Sequence, residues 1–149
     1  MENAMNSEAL NQEIIEHLMH PRNYGKLDAP DGVGVGHDAA TGEFVIFYVN
    51  VTDDTLSDIA YATNGCQDTV VLGSMFTEMV KGDTLHNAQK AVEKLEAKLS
   101  GASARQQACA EMVLTAFRAS LINRDNRLGG SDEEQHVITM KESCSTDEQ

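Results

Sequence analysis

The residues best able to do chemistry in this sequence are its three cysteines, Cys66, Cys109 and Cys144. Cys66 follows an apolar, β-prone segment over residues 59–63 and the dipeptide Asn64-Gly65. That dipeptide signals a turn, because both residues tolerate positive φ. Behind Cys66, the residues Val71, Leu72, Met75, Phe76 and Met79 recur at helical spacing. The pattern predicts that Cys66 sits where a strand meets the N-terminus of a helix over residues 66–80. Unpaired N–H groups and the positive end of the helix dipole favour a thiolate there, and the thiolate is the form that binds metal or sulfur. A small buried cysteine that only fills a helix cap would leave the same pattern. Cys109 begins the apolar face of a later helix near its N-terminus, a context like that of Cys66. Cys144 lies in a polar stretch, where a spare exposed thiol is the plain reading and a ligand reaching over the fold the other. His37 and Asp38 are further candidate ligands, with a solvated loop pair as the alternative. His17 lies among acidic neighbours and reads as a solvated face residue. A nucleophilic role for Cys66 needs a base beside it, and no histidine neighbours it in sequence. The chain does not read as an enzyme.

Composition narrows the setting of these thiols. Three cysteines at wide spacing, with no C-x-x-C pair, fit neither a secreted disulfide framework nor a zinc ribbon. The formal net charge is −13, so a nucleic-acid surface, which needs clustered Lys and Arg, is not expected. No apolar run is long enough to span a membrane, and residues 1–10 lack the order of a secretory signal. A cytoplasmic protein is the expectation.

The elements that must position the cysteines follow from periodicity. A first helix is expected over residues 7–20, capped by Ser7, with Leu10, Ile14, Ile15 and Leu18 as its apolar stripe and Pro21 ending it. Residues 31–42 read as a Gly-rich loop. Its Gly32, Gly34 and Gly36 do not have P-loop spacing and no Gly-Lys-Ser/Thr follows, so a nucleotide site is rejected. A strand over residues 43–51 alternates Val45, Phe47, Val49 and Val51 on one face. A turn at residues 52–55 returns an antiparallel strand over residues 56–63, which delivers the chain to Cys66. A helix with Leu85, Ala88, Val92, Leu95 and Leu99 inside comes next, capped by Asp83 or Thr84. The last core helix is expected over residues 103–123, with Cys109, Met112, Val113, Ala116, Phe117, Ser120 and Leu121 on one stripe. The fold class is therefore α+β, a small antiparallel sheet packed against several helices. One domain is expected over residues 1–123. Residues 124–149 read as an acidic tail in which Val137, Ile138 and Met140 could dock a short element, and deleting residues 131–149 is expected to leave the thermal midpoint nearly unchanged.

The order of these pieces resembles the IscU/NifU-type scaffold proteins of iron–sulfur cluster assembly, over about residues 17–123. His20-Pro21-Arg22-Asn23-Tyr24-Gly25 is similar to the family's N-P-R-N-x-G segment. Asn64-Gly65-Cys66 matches its Gly-Cys motif, and Val80-Lys81-Gly82, with Leu85 and Ala88-Gln89, matches its V-K-G-x-x-L-x-x-A-Q run. The family holds its cluster, or zinc, with three cysteines and an Asp or His. Carried onto this chain, the resemblance implies Cys66 and Cys109 as cluster ligands and Glu43 as a carboxylate in place of the family's Asp. Thr41 replaces the first cysteine, and a hydroxyl is a poor ligand for iron or zinc. Ala108 replaces the histidine, and Ala104-Arg105-Gln106-Gln107 stands where many members carry a Leu-Pro-Pro-Val-Lys segment.

The resemblance implies a scaffold that binds iron or a nascent, labile iron–sulfur cluster and passes it on. It also implies a cysteine desulfurase and acceptor apoproteins as partners. His37, Cys144, a homodimer mate or a partner's cysteine would complete the ligand set. The alternative is a cluster-free paralogue, a zinc-binding or partner-binding regulatory module of the assembly machinery. In either case Glu43, Cys66 and Cys109 are expected to meet at one rim.

Overall fold

The computed structural model describes the backbone of residues 2–140 and the side chains of residues 11–140. Cys144 and the Ser7 cap fall outside the described side chains. The alternating stretch of apolar residues forms the central hairpin, β2 (Phe44–Thr52) and β3 (Thr55–Thr63). Its two-residue turn holds Asp53 at φ 52° and Asp54 at φ 62°. Two left-handed residues in succession give the turn twist that matches paired strands. Val45, Phe47 and Val49 are fully buried, whereas Ile46 and Tyr48 are half-buried, so the expected register holds. A register shift between Asn50 and Val51 leaves Val51 half-buried at the hairpin's far end.

The Gly-rich stretch is a strand rather than a loop. β1 (Gly32–Asp38) pairs antiparallel with β2, joining Gly36 to Val45 and His37 to Phe44. Its glycines alternate because the helix α4 (Ala104–Leu128) lies directly on them. A Cβ at Gly34 would stand 2.0 Å from the Ser120 backbone nitrogen, and one at Gly32 would stand 2.3 Å from the Ser120 carbonyl oxygen. Glycine is depleted from strands in general, so its composition pointed to a loop, while close backbone approach is the condition that reverses the preference.

A fourth strand, β4 (His136–Met140), pairs in parallel with β1 and makes a sheet of order β3-β2-β1-β4. The fold is α+β as expected, but the sheet is mixed rather than antiparallel. α4 also runs five residues past the expected end at Asn123, to Leu128. Its last turns fasten the chain on both sides. The Asn123 side chain accepts from Val33 N at 2.8 Å and donates to Glu133 Oε1 at 2.9 Å. Arg127 donates to the carbonyls of Pro30 at 2.9 Å, Glu133 at 3.1 Å and Glu134 at 2.6 Å. Hydrogen bonds from Asn126, Asn123 and His136 hold the Glu133 carboxyl down to about 2. Residues 136–140 are thus built into the sheet, as the short docked element that Val137, Ile138 and Met140 allowed. Truncation after Gly130 is expected to lower the melting temperature. Arg127→Ala is expected to cost about 1–3 kcal/mol, the scale of hydrogen bonds to a charged group. Circular dichroism melts check both, and an unchanged midpoint on truncation would show that β4 adds nothing.

The helices α2 (Gln67–Val80) and α4 cover the inner face of the hairpin, and α3 (Leu85–Lys98) packs on both of them. Thr84 caps α3 by accepting from Asn87 N. Phe47, Tyr61, Phe76 and Phe117 form an aromatic core, with the Phe76 and Phe117 ring centroids 4.8 Å apart. Gly73 in α2 makes room for the Tyr61 ring, which a Cβ there would meet at 2.4 Å.

The first helix, α1 (Glu2–Met19), starts earlier than expected, and its inward face differs. Ile14 packs on the core, but Ile15 and Leu18 are exposed and His17 is only 2% exposed. His17 turns inward because polar partners await it there. Its Nδ1 lies 2.6 Å from Ser74 Oγ, and its Nε2 lies 3.2 Å from Glu78 Oε1. Ser74 Oγ also accepts from Arg22 N at 2.8 Å, which ties the segment after α1 to the same hydroxyl. The segment after α1 then lies along β3, with Gly25 N donating to the Tyr61 carbonyl at 2.8 Å. Burial lowers the His17 pKa below 6.5, and the opposing pull of Glu78 does not restore it. The unfolded chain therefore binds the proton first. Stability is full above 6.5 and falls as pH drops through and below it. The melting temperature is expected to fall between about pH 7 and about pH 5 in the parent and to change less in His17→Gln. Equal slopes in the two would remove His17 as the cause.

Candidate functional site

The register brings three sequence-distant places to one end of the sheet. Val45, near the start of β2, pairs with Thr63 at the end of β3 and with Gly36 near the end of β1. α4 crosses β1 with Ser120 and Arg124 over Gly32 and Met112 over Gly36, so its N-terminal turns lie at that same end. Glu43 immediately precedes β2, Cys66 follows β3, and Cys109 sits one turn before Met112.

The turn that carries Cys66 is held by Asn64. Its side-chain oxygen accepts from Phe44 N at 2.8 Å, and its amide nitrogen donates to the Gly42 carbonyl at 3.2 Å. The Thr41–Glu43 loop and the Cys66 turn are therefore one unit. Cys66 is the N-cap of α2, in extended conformation at φ −77° and ψ 178°, and its side chain makes no capping hydrogen bond. Its carbonyl accepts from Thr69 N at 3.0 Å, which starts the helix, and its sulfur is left facing the Thr69 hydroxyl at 3.9 Å.

Arg105, one turn before Cys109 on α4, reaches into this place. Its guanidinium acts on the Cys66 thiol and is coupled by charge to Cys109 and Asp68 as well. Its Nε is shielded from water and has no acceptor at hydrogen-bonding geometry; Asp68 Oδ2 stands 3.9 Å away. The leading interaction of the guanidinium is its hydrogen bond with the Cys66 thiol, with the charges of Cys66, Cys109 and Asp68 behind it. Burial pushes the Cys66 thiol up, but Arg105, the Thr69 N–H and hydroxyl and the Asp68 N–H together outweigh it, and the pKa falls below 9.0. The same anionic neighbours raise the Arg105 pKa. The result is a partly exposed thiol of lowered pKa beside a guanidinium, with the fully buried Cys109 one turn further along the same helix as that guanidinium. Such a pair of soft donors suits thiolate-ligated metal or an anionic sulfur species.

The remaining candidates are placed as follows. Glu43 is half-buried, with its N–H on Thr41 Oγ1 at 3.2 Å and its carbonyl accepting from Asp38 N at 2.8 Å. His37 is half-buried within β1. Asp38 is buried, and its Oδ1 accepts from Ala40 N at 2.9 Å, so it closes the β1–β2 turn rather than standing in a solvated loop. Among the described residues, no three His, Cys, Asp and Glu side chains stand as a group that could hold a metal ion. Sequence reasoning missed Arg105 and Asn64. The spacing of Arg105 four residues before Cys109 on a helix was the available signal.

The fold is shared with a NifU-like N-terminal protein of Brucella abortus, at TM-score 0.63 and 20% identity over 79% of this chain and 95% of that one. It is shared also with a putative scaffold protein for the SUF system from Fervidobacterium islandicum, at TM-score 0.60 and 15% identity over 73% and 93%. In sequence, the chain is 30% identical over 131 residues to the iron–sulfur cluster assembly scaffold protein IscU 1 of Archaeoglobus fulgidus, covering 87% of this chain and 86% of that protein. It is 34% identical over 85 residues to the scaffold protein IscU of Azotobacter vinelandii, 54% of this chain and 66% of that protein. An α+β domain with thiols at one end of its sheet is the class so defined. Residues 9–128 match the NifU-like N terminal domain family, and the chain belongs to it.

Proposed function

We propose that this protein is a scaffold of iron–sulfur cluster assembly that holds a nascent, labile cluster between Cys66 and Cys109 and passes it on. The observation that carries the reading is the placement of both cysteines about Arg105 at one end of a fold common to the family. Thiolate-ligated clusters are anionic, so the guanidinium favours a cluster over a bare divalent cation. Two thiolates are half the usual set of four. A second copy of the chain or a partner's thiol supplies the rest. An incomplete set within one chain makes the cargo easy to release. In this reading the protein is a carrier and not an enzyme, working in the cytoplasm with a cysteine desulfurase as sulfur source and acceptor apoproteins as recipients.

The second reading is a cluster-free paralogue that binds zinc or regulates a partner of the assembly machinery. Thr41 and Ala108 at usual ligand positions favour it. Anaerobic reconstitution with ferrous iron and sulfide separates the two. The scaffold reading expects sulfide-to-iron charge-transfer bands, acid-labile sulfide and transfer to an apo-ferredoxin. Zinc without colour, or no metal at all, would overturn it in favour of the paralogue.

A further inference from the structure

β3 and β4 leave the sheet at the same end. Both run parallel to β1, so each delivers its chain to the end where the Cys66 turn lies. The register sets the distance between the two exits. Ile138 pairs with Gly36, Gly36 with Val45, and Val45 with Thr63. Ile138 and Thr63 thus stand three strand spacings apart, about 14 Å. Cys66 is the third residue after Thr63, and Cys144 is the sixth after Ile138. Cys144 therefore has three more residues of chain with which to cross the end of the sheet, an extended reach of about 10 Å. A disulfide needs its two Cα atoms about 4–7 Å apart, which leaves about 7–10 Å to cross. The chain is long enough. Met140 packs on the core and so fixes the point from which that reach is measured.

The thiols at this end are not equivalent. Cys66 is partly exposed and its side chain makes no capping hydrogen bond, whereas Cys109 is fully buried. A reagent in solution meets Cys66 first. Residues 141–149 contain no aliphatic or aromatic side chain, so nothing in their composition draws Cys144 into a core.

We infer that Cys144 is the resolving thiol of Cys66, and that a hydroperoxide joins the two in a disulfide on the metal-free chain. The Cys66 sulfur attacks a peroxide oxygen and the O–O bond breaks. Cys66 becomes a sulfenic acid, oxidised by two electrons, and the departing hydroxide takes the thiol proton to form water. The Cys144 sulfur then attacks the Cys66 sulfur and the S–O bond breaks. The second hydroxide leaves with the Cys144 proton as water, and the S–S bond has formed. The bond withholds Cys66 from metal and from oxidation to the sulfinic acid, which thiols do not reverse. The inference goes beyond the cargo reading and does not depend on it.

The test is mass spectrometry of the metal-free full chain, reduced, treated with one equivalent of hydrogen peroxide and digested with trypsin without reduction. Trypsin places the three cysteines on separate peptides, residues 27–81, 106–118 and 142–149. The expected result is a monomer that has lost two hydrogens, with the first and last of these peptides linked and the link reversed by dithiothreitol. Cys144→Ser is expected to lose that link and to carry Cys66 as the sulfinic acid instead. The mapping reads the bond whether or not the protein carries a cluster. A link between Cys66 and Cys109, a disulfide between two chains, or equal sulfinic acid at Cys66 in the parent and in Cys144→Ser would overturn the inference.

Discussion

Cys66→Ser is expected to remove most metal and cluster uptake while leaving the melting temperature equal to or above that of the parent. The reason is its position. Cys66 caps α2 without a side-chain hydrogen bond, and serine is among the better N-cap residues, stabilising by about 1 kcal/mol relative to alanine. The substitution therefore deletes a soft ligand, while a serine cap offsets the loss of the sulfur's contacts with Thr69, Arg105 and the core. Cys109→Ala is expected to reduce uptake to the same degree, with a modest loss of stability because Cys109 is fully buried. Cys144→Ser is expected to change neither. Arg105→Ala separates the readings further. Removing the cation weakens retention of an anionic cluster and strengthens retention of a bare divalent ion, whereas Arg105→Lys keeps the charge and stays nearer the parent. The measurements are iron, zinc and sulfide content after anaerobic reconstitution, taken beside a melt of each variant. Unchanged metal content in both the Cys66 and Cys109 single variants would sink the shared site.

A larger structural effect is expected at Gly34. A Cβ there would meet the Ser120 nitrogen at 2.0 Å, the Ala119 carbonyl carbon at 2.4 Å and the Ala116 oxygen at 2.5 Å. All three are backbone atoms, so no rotamer change relieves the contact and α4 must lift from β1. Gly34→Ala is expected to cost at least the upper end of the roughly 1–3 kcal/mol of ordinary overpacking. That is a large part of a typical total of about 5–15 kcal/mol. Gly34→Val is expected not to fold. Because α4 also carries Arg105 and Cys109, metal uptake by Gly34→Ala should fall together with its urea midpoint. Gly101→Ala, whose Cβ would meet nothing within 4 Å, is the neutral control. A Gly34→Ala midpoint equal to that of Gly101→Ala would show that the helix can move without cost.

Much of this architecture was legible from local pattern. The alternation through Val45, Phe47 and Val49 and the turn at Asp53-Asp54 specify a hairpin and its buried face without reference to anything else. The 3.6-residue stripes of α2, α3 and α4 do the same for the helical faces. The junction after Asn64-Gly65 was enough to place Cys66 at a helix start. In each case the information lies within one or two turns or pleats of chain, where side-chain direction follows directly from backbone period.

Other features were decided only by what packs against what. Gly32, Gly34 and Gly36 look like loop residues until α4 is laid on them. His17 looks like a solvated histidine until Ser74 and Glu78 are brought to its ring nitrogens from α2. Val137, Ile138 and Met140 allowed a short docked element, but its place beside β1 is set by Asn123 and Arg127, which hold the chain that leads into β4. The site divides along the same line. The sequence by itself determined which residues carry sulfur and that Cys66 caps a helix, because residue type and local spacing are properties of the chain. Only the tertiary structure decided that Cys109 and Arg105 share the end of the sheet with Cys66, because that meeting depends on how closely one helix can approach three glycines. Charge acts across a few ångströms of space whatever the separation in sequence, so the spacing of Arg105 before Cys109 could mark it as a neighbour of Cys109 but not of the distant Cys66 whose pKa it lowers.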